Sequence, residues 1–374
     1  MSSKKKKNIL FILPTLNAGG AENYALRFIH YCGHDEFRWF VLTPHLKKGH
    51  LDSQFEDVCK KVIYQRISYF NPIQFFKLYR FLKKHQIDAV CTFNGNFGGI
   101  PLTIARFAGI KIRIALHRRS TNAFGNNPFK LAYNFLANKL IMWNANKILS
   151  NSLFALESFY GSYWKNDSRF KVIPNGVDGK QFDSGFTTNE AKTKLGLDPK
   201  TFVIGHVGRF DPSKNHETIF RVASKLKEFE SNFTFLFCGN GTDENEFKSE
   251  IQRHGIEDIC LTLGTRDDLP IVYRAMDIMY FPSKTEGQPN ALIEAMLSGT
   301  SVLPSNIPPI LEILPDNSHQ NTVDAFNEEE AVLRIKNIIL GKEKSEDLIY
   351  YEWAKKNFDL KENLQKFKNE LSYE

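Results

Sequence analysis

Glu286-Gly287-Gln288-Pro289-Asn290-Ala291-Leu292-Ile293-Glu294-Ala295-Met296-Leu297-Ser298-Gly299 decides how this chain is read. An apolar run ending in Tyr280-Phe281 enters the stretch and a helical pattern leaves it, which predicts strand, Gly/Pro turn, helix. Ala291, Leu292, Ala295 and Met296 recur at helical spacing. Pro289 suits the first turn, where its missing N–H is harmless, and Gly299 suits the end. Such a loop aims a helix N-terminus at the carboxyl end of a strand. Open α/β sheets bind ligands there, and a helix N-terminus favours phosphate. Two carboxylates, Glu286 and Glu294, bracket the turn; one could face a ligand's sugar hydroxyls and the other a ribose.

Upstream, Thr201 to Phe210 reads as the strand that opens a second sheet. Arg209 ends it, and Lys214 follows in Asp211-Pro-Ser-Lys-Asn-His, just before a helix beginning near Glu217. Two cations five residues apart in a strand-to-helix loop can clamp a diphosphate. Phe233–Phe237 is the next strand and Asp243–Gln252 a helix, and Leu261 to Leu269 is a further strand and loop containing Arg266. Asn175-Gly176 marks a turn, so the domain boundary is expected near Asp178, with residues 179–199 as linker and a leading helix.

In the first half, Ile9–Leu13 is a continuous apolar run, as in a buried parallel strand. It leads into a loop with Gly19-Gly20 and then Glu22 at the start of a helix, a pairing that lets backbone approach a ligand. Further strands are expected at 39–43, 62–67, 89–93 and 112–116, with helices between several of them, giving a parallel sheet. His117-Arg118-Arg119 follows the last of these, where a histidine can bond a sugar hydroxyl or act on a proton, and arginines can meet phosphate. The helix between Asn71 and His85 and the stretch 127–149 both interleave aromatics with cations, a composition that suits an anionic membrane surface. The last residues, 350–374, read as one amphipathic helix.

At 374 residues, 42% apolar and 24% charged, the chain has room for two α/β domains, each with its own core. Its net charge of +7 is unevenly spread: 26 Lys+Arg against 10 Asp+Glu up to Asp178, and 23 against 32 beyond it. Five scattered cysteines with no C-x-x-C fit a reducing cytosol and offer no zinc site. Lys4 to Lys7 followed by an apolar run imitates a signal peptide, but the run stops at Pro14, and a first strand explains the same residues.

The Glu-x7-Glu pair, set between Phe281-Pro-Ser-Lys-Thr and Ala295-Met-Leu-Ser-Gly, resembles the donor site of retaining glycosyltransferases of family 4, which have the GT-B fold. Gly208-Arg209-x(4)-Lys214 and Gly19-Gly20-Ala-Glu22 are similar to further motifs of that family. The resemblance implies two Rossmann-like domains facing across a cleft: residues 1–178, joined by 351–374, for the acceptor, and 179–350 for a nucleotide-sugar donor. It implies that Arg209 and Lys214 hold the diphosphate and that Arg266 stacks on the base. Glu286 and His117 would meet the donor sugar, and Glu294 the ribose. Gly19, Gly20, Pro289, Asn290, Ala291 and Leu292 would complete the donor site, with Glu22, Arg118 and Arg119 facing the acceptor.

The implied reaction is retaining transfer of a sugar, most simply from UDP, to a saccharide on a lipid diphosphate such as undecaprenyl diphosphate, at the inner face of the plasma membrane. No cofactor or metal is expected, and the chain has no Asp-x-Asp, the motif that bridges a divalent cation in the other main glycosyltransferase fold. Rival readings are a UDP-sugar epimerase of the same architecture, a nucleic-acid- or anionic-surface-binding protein, and an inactive scaffold. The acidic second half argues against nucleic acid, and no nucleic-acid partner is expected.

Overall fold

A computed structural model describes residues 5–17, 19–67, 71–93, 95–118, 128–229, 232–343 and 347–372. The chain divides into two compact units, residues 1–174 with 361–374, and residues 175–360.

In the first unit, elements alternate as β1 (Lys7–Ile12), α1 (Gly20–Cys32), β2 (Phe37–Thr43), α2 (Asp52–Val58), β3 (Lys61–Tyr64), α3 (Pro72–Lys84) and β4 (Ala89–Thr92). They continue as α4 (Gly99–Phe107), β5 (Ile112–His117), α5 (Pro128–Asn144), β6 (Lys147–Ser150), α6 (Leu153–Tyr160) and β7 (Phe170–Val172). The seven strands order as β3-β2-β1-β4-β5-β6-β7, and every pairing is parallel. β1 sits centrally, and its Ile9–Ile12 run is buried on both faces, as an all-parallel sheet requires. Asn71 caps α3 by accepting from the Ile73 amide at 3.0 Å, with Pro72 in the first turn. The apolar and basic stretch 127–149 is not one element: Arg169 O and Ile114 recruit its end as β6, a strand that periodicity within a largely apolar run does not separate from the helix before it.

The second unit runs α7 (Thr188–Lys194), β8 (Phe202–Val207), α8 (His216–Lys227), β9 (Phe233–Cys238), α9 (Asn245–Arg253), β10 (Cys260–Thr262), α10 (Leu269–Arg274) and β11 (Ile278–Phe281). After these come α11 (Asn290–Leu297), β12 (Ser301–Pro304), α12 (Pro308–Leu311), α13 (Glu328–Ile339) and α14 (Asp347–Asn357). Its sheet, β10-β9-β8-β11-β12, is also wholly parallel. One core, with Val203, Met279, Leu292 and Met296, packs on one side of it; another, with Ile204, Phe220, Phe235 and Phe247, packs on the other.

The expected single helix over 350–374 is two. α14 ends at Asn357 and α15 (Leu360–Glu370) follows, because Phe358 O accepts the Val177 amide at 2.8 Å and Asp359 bridges Val177. Tyr350, Ala354 and Phe358 are buried in the second unit's core, so the return to the first unit starts at Lys361 rather than residue 351. There, Phe367 of α15 packs 4.4 Å from Phe28 and 6.3 Å from Phe11, ring centre to ring centre. Glu370 receives Lys171 at 2.6 Å and Lys147 at 3.0 Å.

Candidate functional site

Strand order in the second unit reverses between β8 and β11, and the loops leaving those two strands carry Arg209, Lys214 and Glu286. Lys214 ends the short helical turn Pro212–Lys214, and Glu286 lies in the loop before α11. Their side chains meet at 2.6 Å, both largely buried, and the ammonium also stands 5.0 Å from the Phe281 ring centre. Two contacts hold the loops together. The Lys284 amide donates to Ser213 O at 2.8 Å. Buried Asn215, in the left-handed region at φ 62°, donates through Nδ2 to Pro282 O at 3.0 Å and Ala325 O at 2.7 Å. Asparagine tolerates that backbone better than most residues, so one position supplies both the turn and the staple. Sequence reading passed over it; its signal was an Asn immediately before a helix start.

Arg209 is exposed, in the loop between β8 and Lys214. Asp211 accepts from the Ser213 amide and hydroxyl, which hold its carboxyl below the usual range. Gly239, at φ +143°, lets the loop after β9 approach Gly208 so closely that a Cβ would lie 2.2 Å from Gly208 O. Behind Lys214, the rings of His206 and His216 meet at 4.8 Å. Burial lowers both, His216 to about 4, and Lys214 lowers them further, so at neutral pH they add no charge next to the ammonium. His206 Nδ1–H donates to Tyr280 O at 3.0 Å.

α11 starts where Pro289 occupies the cap position, with no side chain capping it, and ends before Gly299 at φ 70°. Leu292 is buried, Ala291 half-buried. Asn290 is already engaged: its Oδ1 accepts Asn175 Nδ2 at 2.8 Å, while Gln288 Oε1 accepts the Asn175 amide. The Asn175-Gly176 turn, read in sequence only as a boundary, therefore sets the loop between the two glutamates. Glu294 accepts from Tyr273 OH at 2.9 Å; burial keeps that phenol protonated, and Glu294 adds to the effect. Arg266, expected against a base, forms a two-point ion pair with Asp268 at 2.6 and 2.7 Å, which holds Asp268 low.

In the first unit the strand order reverses between β1 and β4. A Cβ at Gly19 would lie 2.5 Å from the Glu22 carboxylate, while Gly20 faces open space. Glu22 is buried and accepts from Thr15 Oγ1 at 3.0 Å. Arg118 lies over the Tyr24 ring at 3.8 Å; burial lowers it to about 10, still charged at neutral pH. His117 is fully buried, with Nε2 2.8 Å from Tyr160 OH, and burial lowers it to about 4. The imidazole is therefore neutral at neutral pH, with its ring fixed by Tyr160. Arg119 lies outside the described residues.

Among the described residues, one trio has metal-ligand geometry, Glu217, Glu250 and His254, but Arg253 already bridges both glutamates and Arg221 pairs with Glu217. No helix among the described residues is long and apolar enough to cross a membrane.

Two all-parallel units, each with a reversal of strand order, make up the GT-B architecture. The Anabaena protein HepE, solved in complex with UDP, superposes with a TM-score of 0.81 at 20% identity, covering 97% of this chain and 99% of that one. Residues 18–181 match the family model described as Glycosyltransferase Family 4, and 187–354 the one described as Glycosyl transferases group 1. The chain belongs to glycosyltransferase family 4. It is 31% identical over 245 residues to the UDP-Gal:alpha-D-GlcNAc-diphosphoundecaprenol alpha-1,3-galactosyltransferase of Escherichia coli, covering 62% of this chain and 60% of that one. It is 29% identical over 305 residues to the capsular polysaccharide biosynthesis glycosyltransferase CapH of Staphylococcus aureus, covering 80% and 81%.

Proposed function

We propose that this glycosyltransferase moves a hexose or N-acetylhexosamine from UDP to a saccharide carried on a lipid diphosphate, with retention at the anomeric carbon, in capsule, O-antigen or exopolysaccharide assembly. The observation that carries the reading is the Lys214–Glu286 pair where strand order reverses, beside the uncapped start of α11. UDP in the HepE complex and the lipid-diphosphate acceptor in the name of the Escherichia coli relative support the donor and acceptor classes.

The barrier lies in losing the diphosphate while positive charge develops on the sugar. Lys214 and Arg209, with the amides opening α11 and those of Gly19-Gly20, stabilise the leaving charge. Binding of the diphosphate draws Lys214 from Glu286 and frees that carboxylate for the sugar's hydroxyls. Glu294, oriented by Tyr273, holds the ribose, and the Arg266–Asp268 pair flanks the base. His117 bonds a sugar hydroxyl through Nδ1, while Glu22, Arg118 and Arg119 receive the acceptor. The departing phosphate takes the acceptor's proton on the same face. These cations meet the charge requirement without a metal. The basic first unit rests on anionic lipid at the inner face of the plasma membrane.

Binding and slow hydrolysis across UDP-, GDP- and ADP-sugars, with and without EDTA, test this. One UDP-sugar bound and hydrolysed in EDTA is the expected outcome. Selective binding of a GDP- or ADP-sugar, or loss of activity in EDTA, overturns the corresponding part.

A further inference from the structure

α3 and α4 leave an apolar groove of about 500 Å³ between them on the first unit. Phe75, Phe76 and Tyr79 form one wall, Ile104 and Phe107 the other, and Leu140 of α5 closes it. Two of its rings stay in water: Phe107 is 78% exposed and Phe76 58%, while Phe75 and Tyr79 are half-buried against the core. A contiguous apolar surface left in water is a candidate binding site.

The groove has a direction. In a parallel sheet each helix starts at the carboxyl edge, so Pro72 and Ile100, in the first turns of α3 and α4, mark that end, and Phe107, last in α4, marks the other. His117 ends β5 at the same carboxyl edge, with Arg118 next to it and Glu22 in the first turn of α1. The groove thus leads from the edge that carries the candidate acceptor residues to the far side of the sheet.

Its rim has one sign of charge. No Asp or Glu occurs on α3 or anywhere from Ala89 through Leu156. Arg80 lies 5.6 Å from the Phe76 ring and Lys139 4.5 Å from Phe135, and Arg106 donates to Trp143 O at 2.7 Å. An apolar trough with a cationic collar complements an amphiphile with an anionic head; a second copy of the same face would set cation against cation.

We propose that this groove seats the hydrocarbon chain of a lipid diphosphate, head toward His117 and Arg118 and tail toward Phe107. The inference rests on the lipid-linked acceptor proposed above and adds where its chain binds.

The test compares farnesyl diphosphate with isopentenyl diphosphate, which share a head and differ by two isoprene units, by calorimetric titration of the full chain. Farnesyl diphosphate should bind at least about tenfold more tightly, since each buried methylene adds to affinity. Phe107→Glu, at an exposed position that leaves the fold intact, and Thr103→Trp, which fills the groove, should bring it to the isopentenyl value. Equal affinity of the two probes, or variants that leave farnesyl binding unchanged, overturns the proposal. So does a Phe107→Glu variant that loses phosphatidylglycerol vesicles yet keeps farnesyl diphosphate, because the face then docks on a bilayer. Transfer assays separate the two readings. Equal transfer to a saccharide diphosphate with and without a chain overturns the groove alone. Chain-selective binding that Phe107→Glu abolishes, with no transfer to any saccharide diphosphate, upholds the groove and overturns the acceptor.

Discussion

Lys214→Met and Glu286→Ala, singly and together, separate what this pair does for folding from what it does for chemistry. The side chains are 16% and 10% exposed and meet at 2.6 Å. Removing one partner of a fully buried pair costs about 3–5 kcal/mol, because a charge is left without its counterion. Residual solvation and, for Glu286→Ala, the Phe281 ring beneath the ammonium reduce this to about 2–3 kcal/mol. In a unit of this size that lowers the melting temperature by about 5–10 °C. The double variant should recover at least about 1 kcal/mol relative to the sum of the singles, as expected for partners in contact. Turnover should behave differently. Each single change should lower sugar transfer about 10²–10³-fold, as loss of one preorganised charge-stabilising group does, and the double variant should not regain it. Thermal unfolding and steady-state transfer on the same four proteins give both readings. Additive stability losses, or a folded Glu286→Ala variant with near-native turnover, would refute the reasoning.

Asn215→Ala removes two hydrogen bonds to buried carbonyls and places alanine at φ 62°, so a loss of about 2–4 kcal/mol is expected in denaturant titration, with weaker UDP-sugar binding. Phe367→Ala should cost about 3–5 kcal/mol, because its ring packs among Phe11, Phe28 and Phe93; unchanged stability would detach α15 from the first core. Burial lowers His117 and His216 to about 4 from the free value of 6.5. The unfolded chain then binds more protons than the native one between those values. Stability should therefore be at its plateau above pH about 6.5 and fall as pH drops toward 4, by about 3 kcal/mol per histidine at the limit. Unfolding measured across pH checks this, and His216→Phe should flatten the slope.

The two-unit parallel architecture was legible because buried parallel strands are short continuous apolar runs, as in Ile9–Leu13, and their helices carry 3.6-residue periodicity and local caps. Glu286, Glu294, Arg209 and Lys214 were legible for a similar reason: each lies at a fixed spacing within one strand-turn-helix unit. β6 was missed because the helix and strand there share one apolar run. The roles of Asn215, Asn175 and Tyr273 were missed because their partners lie far away in sequence; Asn175 pairs with Asn290 and Tyr273 with Glu294.

The sequence by itself determined the family, most of the order of strands and helices, and which loops carry charge, since all of these are written in neighbouring residues. Only the tertiary structure decided that Lys214 and Glu286 form one buried pair, that His117 is neutral and tied to Tyr160, and that the chain returns to the first unit at Lys361. Each of those depends on burial or on contact between distant segments, and a pattern confined to neighbouring residues records neither.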